Sequence, residues 1–132
     1  MKRRADVFVF IAAALLAPAV SAGQITSARV EPDVAKVGDT VTLTLLVEHH
    51  PAGGVMKPAL GATESWDVRD AQVRVVKLGV SEIVLTLSPF DVGESLALPP
   101  FEIMEQTPEG VQKIPMEPLS IKVESVLAGE ED

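Results

Sequence analysis

In three stretches of this chain, apolar residues fall at every second position. From Thr40 to Glu48, Val41, Leu43, Leu45 and Val47 alternate with Thr42, Thr44, Leu46 and Glu48. From Ser81 to Leu87, Ile83, Leu85 and Leu87 stand against Glu82, Val84 and Thr86; from Leu119 to Val126, Leu119, Ile121 and Val123 stand against Ser120, Lys122 and Glu124. Successive side chains of an extended chain point to opposite faces, so this period of two predicts strands with one apolar face each. Fainter signals predict further short strands at Ile25 to Val30, Val55 to Lys57, Trp66 to Arg69, Val73 to Lys77, Leu96 to Leu98 and Phe101 to Met104. Beyond residue 22 no apolar period of 3.6 persists long enough for a helix.

Turn chemistry separates these runs. Val37-Gly38-Asp39 precedes the clearest strand, and Gly38 is suited to the positive φ that other residues resist. Further breaks fall at Pro51 to Gly54, Gly61 to Glu64, Gly79, Pro89 to Gly93, Pro99-Pro100 and Pro108 to Gly110. Ser88-Pro89 ends the second long run, because proline has no N–H to give to a ladder. Pro99, Pro100, Pro115 and Pro118 fit edge strands or places where the chain changes sheet. No interval between strands holds a crossover helix. The expected fold is therefore an all-β, immunoglobulin-like antiparallel β-sandwich of about seven to nine strands, with Leu45 and Leu85 in mid-core.

The N-terminus follows a different logic. Lys2, Arg3 and Arg4 precede an apolar run from Val7 to Ala17, then Pro18 and the small-residue stretch Val20-Ser21-Ala22. That order is the pattern of a secretory signal peptide, with Asp6 its one departure and cleavage expected after Ala22. A run of 11 residues falls short of the ~20 that a membrane-spanning helix needs. The expected organisation is a signal peptide at 1–22, a β-sandwich domain at 23–127 and an acidic tail at 128–132.

Charge and cysteine content narrow the function. Taking Lys2, Arg3, Arg4 and Asp6 from 11 basic and 19 acidic side chains leaves 8 and 18, a net charge of −10 on the processed chain. Nucleic acid is a poor partner for such a surface, since phosphate binding relies on clustered Lys and Arg. The chain has no cysteine, which removes disulfides, thiol nucleophiles and thiolate metal sites together.

Candidate chemistry is sparse. His49 and His50 are the two histidines; as neighbours on an extended chain they point to opposite faces, and they read as solvated residues ending a strand. Glu64, Asp67 and Asp70 surround Trp66, but without the alternating ligands and central glycine of a calcium loop they read as a charged strand face. No G-x-S-x-G elbow and no phosphate-binding glycine loop with its lysine is present. Trp66, Phe90 and Phe101 are the aromatic residues of the processed chain, and a core of this size is expected to claim all three. Asp91-Val92-Gly93 matches the D-x-G turn before the sixth strand of immunoglobulin domains, without the Tyr and Cys that would follow. No catalytic, cofactor-binding or metal-binding residue is assigned, and an enzyme is not expected.

Three segments together carry a family resemblance: Val37-Gly38-Asp39-Thr40-Val41, then Pro89 to Gly93 with Leu98-Pro99-Pro100-Phe101, and the closing Pro118 to Leu127. They resemble the N-terminal β-domain of BatD-type proteins, bacterial envelope proteins named for oxygen tolerance and associated with von Willebrand A-domain proteins and MoxR-type ATPases. The resemblance spans most of the chain after residue 22. It implies an exported, non-catalytic protein-interaction module of the cell envelope, periplasmic or secreted, with a protein partner, without a cofactor and without catalytic residues. Family members usually continue into a transmembrane anchor; no apolar stretch follows Leu127 in this sequence, which therefore holds no span beyond its leader and is either a piece of an anchored protein or a free periplasmic or secreted form. The alternative reading is a secreted ligand-binding or adhesive module that recognises polysaccharide or a cation.

Overall fold

The computed structural model describes residues 23–126, so the expected leader at 1–22 and tail at 128–132 lie outside the described residues. The strands are β1 (Gln24–Glu31), β2 (Val34–Lys36), β3 (Val41–Glu48), β4 (Gly54–Val55), β5 (Gly61–Ala62) and β6 (Trp66–Lys77). They continue with β7 (Val80–Pro89), β8 (Gly93–Ala97), β9 (Ile103–Thr107), β10 (Gly110–Ile114) and β11 (Ser120–Glu124). One sheet runs β1-β3-β7-β6-β5; two smaller sheets run β10-β9-β4 and β2-β11-β8. The chain is an all-β sandwich, as the period of two predicts.

The core follows directly from that period. β3 and β7 pair antiparallel with Val41 opposite Leu87, Leu43 opposite Leu85 and Leu45 opposite Ile83. All six side chains are fully buried, each adding about 1.5–3 kcal/mol of transfer free energy. Ile103 of β9, Ile114 of β10, Ile121 and Val123 of β11 and Ala35 of β2 complete a single cluster with them. Leu45 and Leu85 lie at its middle, as expected.

Trp66 is buried as expected, and its Nε1 donates to the Ala97 carbonyl at 2.9 Å. That bond ties β6 of the large sheet to β8 of a small one, satisfying a polar atom that burial would otherwise leave stranded. At Gly38, φ is +91°; the turn is closed by Asp39 N donating to Lys36 O and by Lys36 N donating to the Asp39 carboxylate, both at 2.9 Å.

Four expectations need correction. Among the described residues the strands number eleven, because β2, β5 and β10 are short or largely exposed and carry almost no apolar pattern of their own. One pairing, β2 with β11, is parallel: after β1 the chain passes at Pro32-Asp33 from the large sheet to a small one. Trp66 to Arg69 and Val73 to Lys77 are one strand, β6, in which the register slips between Val68 and Asp70. The extra residue of such a bulge reverses the phase, so Trp66 and Val68 face the core before it and Ala71 after it. Finally, the core does not claim all the aromatics. Phe90 is half exposed, while Phe101 is partly buried against the cluster.

Candidate functional site

Two features of the described surface have the form of a site. The first is the connection from β8 to β9. Leu98 and Pro99 are buried, Leu98 N donates to Leu119 O at 2.8 Å, and Phe101 N donates back to Pro99 O at 2.9 Å. An N–H to C=O bond across one residue is a γ-turn, and the fixed φ of Pro100 at its centre suits the inverse form. The sequence Leu-Pro-Pro-Phe thus builds a stiff ridge, anchored by buried Leu98 and Pro99 and exposed at Pro100.

A groove lies on each side of this ridge. One, of about 440 Å³, is lined by Met56, Pro58, Leu60 and Met104 together with Pro100 and Phe101. The other, of about 620 Å³, is lined by Leu98, Pro115, Met116, Pro118 and Leu119 with the same Phe101. Lys57 and Glu102 stand at the first groove, Lys113 and Glu117 at the second. Such walls take up apolar side chains, and methionine adapts its shape to them. One base and one acid on each side favour neither an anion nor a cation as occupant. The prolines expected at edges or sheet changes therefore sit in the connections β8–β9 and β10–β11, where they form the walls.

The second feature is a polar corner at the end of β3. Glu105 of β9 is 1% exposed. Its Oε1 accepts from Gly23 N at 2.7 Å and from Gln112 Nε2 at 3.4 Å, and its Oε2 accepts from His50 N at 2.8 Å. His49 is half-buried: Nδ1 donates to His50 O at 2.9 Å, and Nε2 is hydrogen-bonded to the hydroxyl of buried Ser81 at 2.8 Å. His50 is exposed, and its Nδ1 accepts from Ala52 N at 3.0 Å. His50 is the solvated strand-end residue expected of both histidines; His49 instead belongs to this hydrogen-bonded corner. The side chains point apart, and no group of three or more His, Asp and Glu able to hold a metal occurs among the described residues.

The corner depends on close backbone approach. Gly53 N donates to His50 O at 2.9 Å, and a Cβ on Gly53 would overlap the carbonyl oxygen of Gln106 on the neighbouring strand. Gly53→Ala is expected to lower stability by about 1–3 kcal/mol, as overpacking does, read as an earlier midpoint in urea at unchanged slope.

The acidic residues near Trp66 do not converge. Asp67 pairs with Arg69 at 3.5 Å, and Asp70 accepts from Gln72 Nε2 at 3.2 Å, both on the exposed side of the β6 bulge. Asp91 caps its own turn, accepting from Val92 N at 2.9 Å, and β8 starts at Gly93. Glu105 escapes a reading of the sequence because the apolar run there ends at Met104. The clue was its phase, two residues after Ile103 and hence inward. Comparison with known proteins found no family model and no curated sequence that matches this chain.

Proposed function

We propose that this chain is an exported, non-catalytic protein-interaction module of the bacterial envelope, similar to the periplasmic domain of BatD-type proteins. The observation that carries the reading is the Pro99-Pro100-Phe101 ridge with an apolar groove on each side. Grooves of this chemistry suit an extended apolar segment of a partner protein, whose side chains drop to either side of a rigid wall. The basic-then-apolar start with Val20-Ser21-Ala22 supports export, to the periplasm or beyond. The resemblance suggests a von Willebrand A-domain protein as partner. No specific observation favours polysaccharide or a cation: Trp66, the ring best suited to stacking on a sugar, is buried against β8.

The test is deuterium exchange of the protein recovered from the periplasm with and without a purified von Willebrand A-domain protein. Protection is expected at Leu60–Thr63 and at Met116–Glu117, flanking the ridge. Leu60→Asp, at an exposed position, should weaken the complex by at least about tenfold, the effect of ~1.4 kcal/mol. Uniform protection, or protection confined to β1, would count against the grooves as the binding surface.

A further inference from the structure

Glu105 poses a charge problem. Its carboxylate is almost fully buried, yet the ion pairs among the described residues join other side chains: Arg29 to Glu31, Arg69 to Asp67, Arg74 to Glu82, and Lys122 to Glu94 and Glu124. A buried carboxylate facing only neutral donors pays a heavy desolvation cost, and a cation in contact offsets it. The nearest donor is the backbone nitrogen of Gly23, 2.7 Å from Oε1. Gly23 is also the residue that follows Ala22, where the signal-peptide pattern ends.

We propose that cleavage between Ala22 and Gly23 supplies the missing cation: the freed α-ammonium of Gly23 ion-pairs with Glu105 and locks the start of β1 against β9. The inference rests on the export reading above. In the cleavage step, a peptidase adds water across the Ala22–Gly23 amide. The hydroxyl goes to the Ala22 carbonyl carbon and the other hydrogen of the water to the Gly23 nitrogen as the C–N bond breaks; the new carboxyl group then gives its proton to that amine, leaving a carboxylate on the leader and an ammonium on Gly23. The nitrogen keeps its place, while one neutral donor becomes three charged ones and the hydrogen bond becomes charge-assisted.

Two further details fit a seat built for a chain end. Gly23 lies so close to β3 that a Cβ would overlap the Glu48 carbonyl oxygen and come within 3.2 Å of Glu105 Oε1. Glycine therefore lets the nitrogen reach the carboxylate. The second oxygen is held by His50 N and the first also by Gln112, which fixes the carboxylate before the ammonium arrives. The other ionisable ring nearby, His49, is committed to Ser81 and the His50 carbonyl. Processing finishes the fold: the protein that has lost its leader is held by an ion pair at a corner where the precursor has only a neutral amide hydrogen bond.

The full chain, expressed with its leader and recovered from the periplasm, tests this. N-terminal sequencing is expected to begin at Gly23. Limited acetylation at neutral pH, followed by peptide mass mapping, should find the Gly23 amine at least about tenfold slower to react in the folded protein than in urea, since only the free base reacts and an ordinary α-amine, with pKa near 7.7–8.0, is partly deprotonated there. Glu105→Gln should restore fast acetylation. If that variant does not fold, Gly23→Ala serves instead, because it keeps a small residue after the cleavage point while its Cβ moves the amine off the carboxylate. A chain that begins at Gly23 but is acetylated equally fast folded and unfolded overturns the ion pair and leaves export standing. A chain that is cleaved elsewhere overturns the ion pair and leaves export standing, whereas one that keeps its leader and stays in the cytoplasm overturns both.

Discussion

Trp66→Ala is expected to remove about 3–5 kcal/mol of stability, the range for truncating a large buried aromatic. Trp66 fills the space where β6 passes β8, and its indole N–H satisfies the Ala97 carbonyl across the two sheets. Alanine leaves a cavity and an unsatisfied acceptor together. Domains of this size have roughly 5–15 kcal/mol in total, and this one has no cysteine with which to form a disulfide. Urea unfolding followed by circular dichroism should therefore show a transition moved far toward zero denaturant. Trp66→Phe separates the two contributions, since it keeps most of the packing but drops the hydrogen bond, and should cost about 1–3 kcal/mol. Equal effects from both substitutions would show that the hydrogen bond, and not the volume, dominates.

Leu85→Ala comes next, at about 2–5 kcal/mol. Leu85 sits on β7, a strand with a neighbour on each side, opposite Leu43 of β3 and Ala71 of β6. Alanine at 71 has no side chain to swing into the space, and the strands on both sides hold the backbone in place. Collapse of the cavity is thus limited, which puts the expected value in the upper part of that range. Leu119→Ala, at a half-buried position before β11, should cost clearly less. A smaller loss for Leu85 than for Leu119 in the same denaturation experiment would contradict the central position of β7.

The layers and their facing residues were legible because β3, β7 and β11 each keep one unbroken alternation. What was not legible has specific causes. The sequence of β6 has the pattern of two strands because the bulge after Val68 exchanges its faces, a change that local pattern cannot distinguish from a gap. β2 exists through its pairing with β11, and three residues carry no period. β10 buries one of its five residues, Ile114, so the turn before it was visible and the strand was not. Of the site, the prolines were visible as breaks in the pattern. Their role as walls depends on Met56, Leu60, Met116 and Leu119 arriving from other connections. Glu105 was hidden for the reason that makes it informative, since an acidic residue at an inward position looks like the end of a strand.

The parallel contact of Val34–Lys36 with Lys122–Glu124 also bears on when this protein can fold. Its partners lie near opposite ends of the described residues, so a growing polypeptide lacks one half of that sheet until Lys122–Glu124 has been made. Closure over so long an intervening stretch is slow compared with the formation of local hairpins. A newly made chain would thus keep Val34–Lys36 without its neighbouring strand for as long as the intervening stretch takes to emerge, leaving the backbone groups of that edge to water in the meantime.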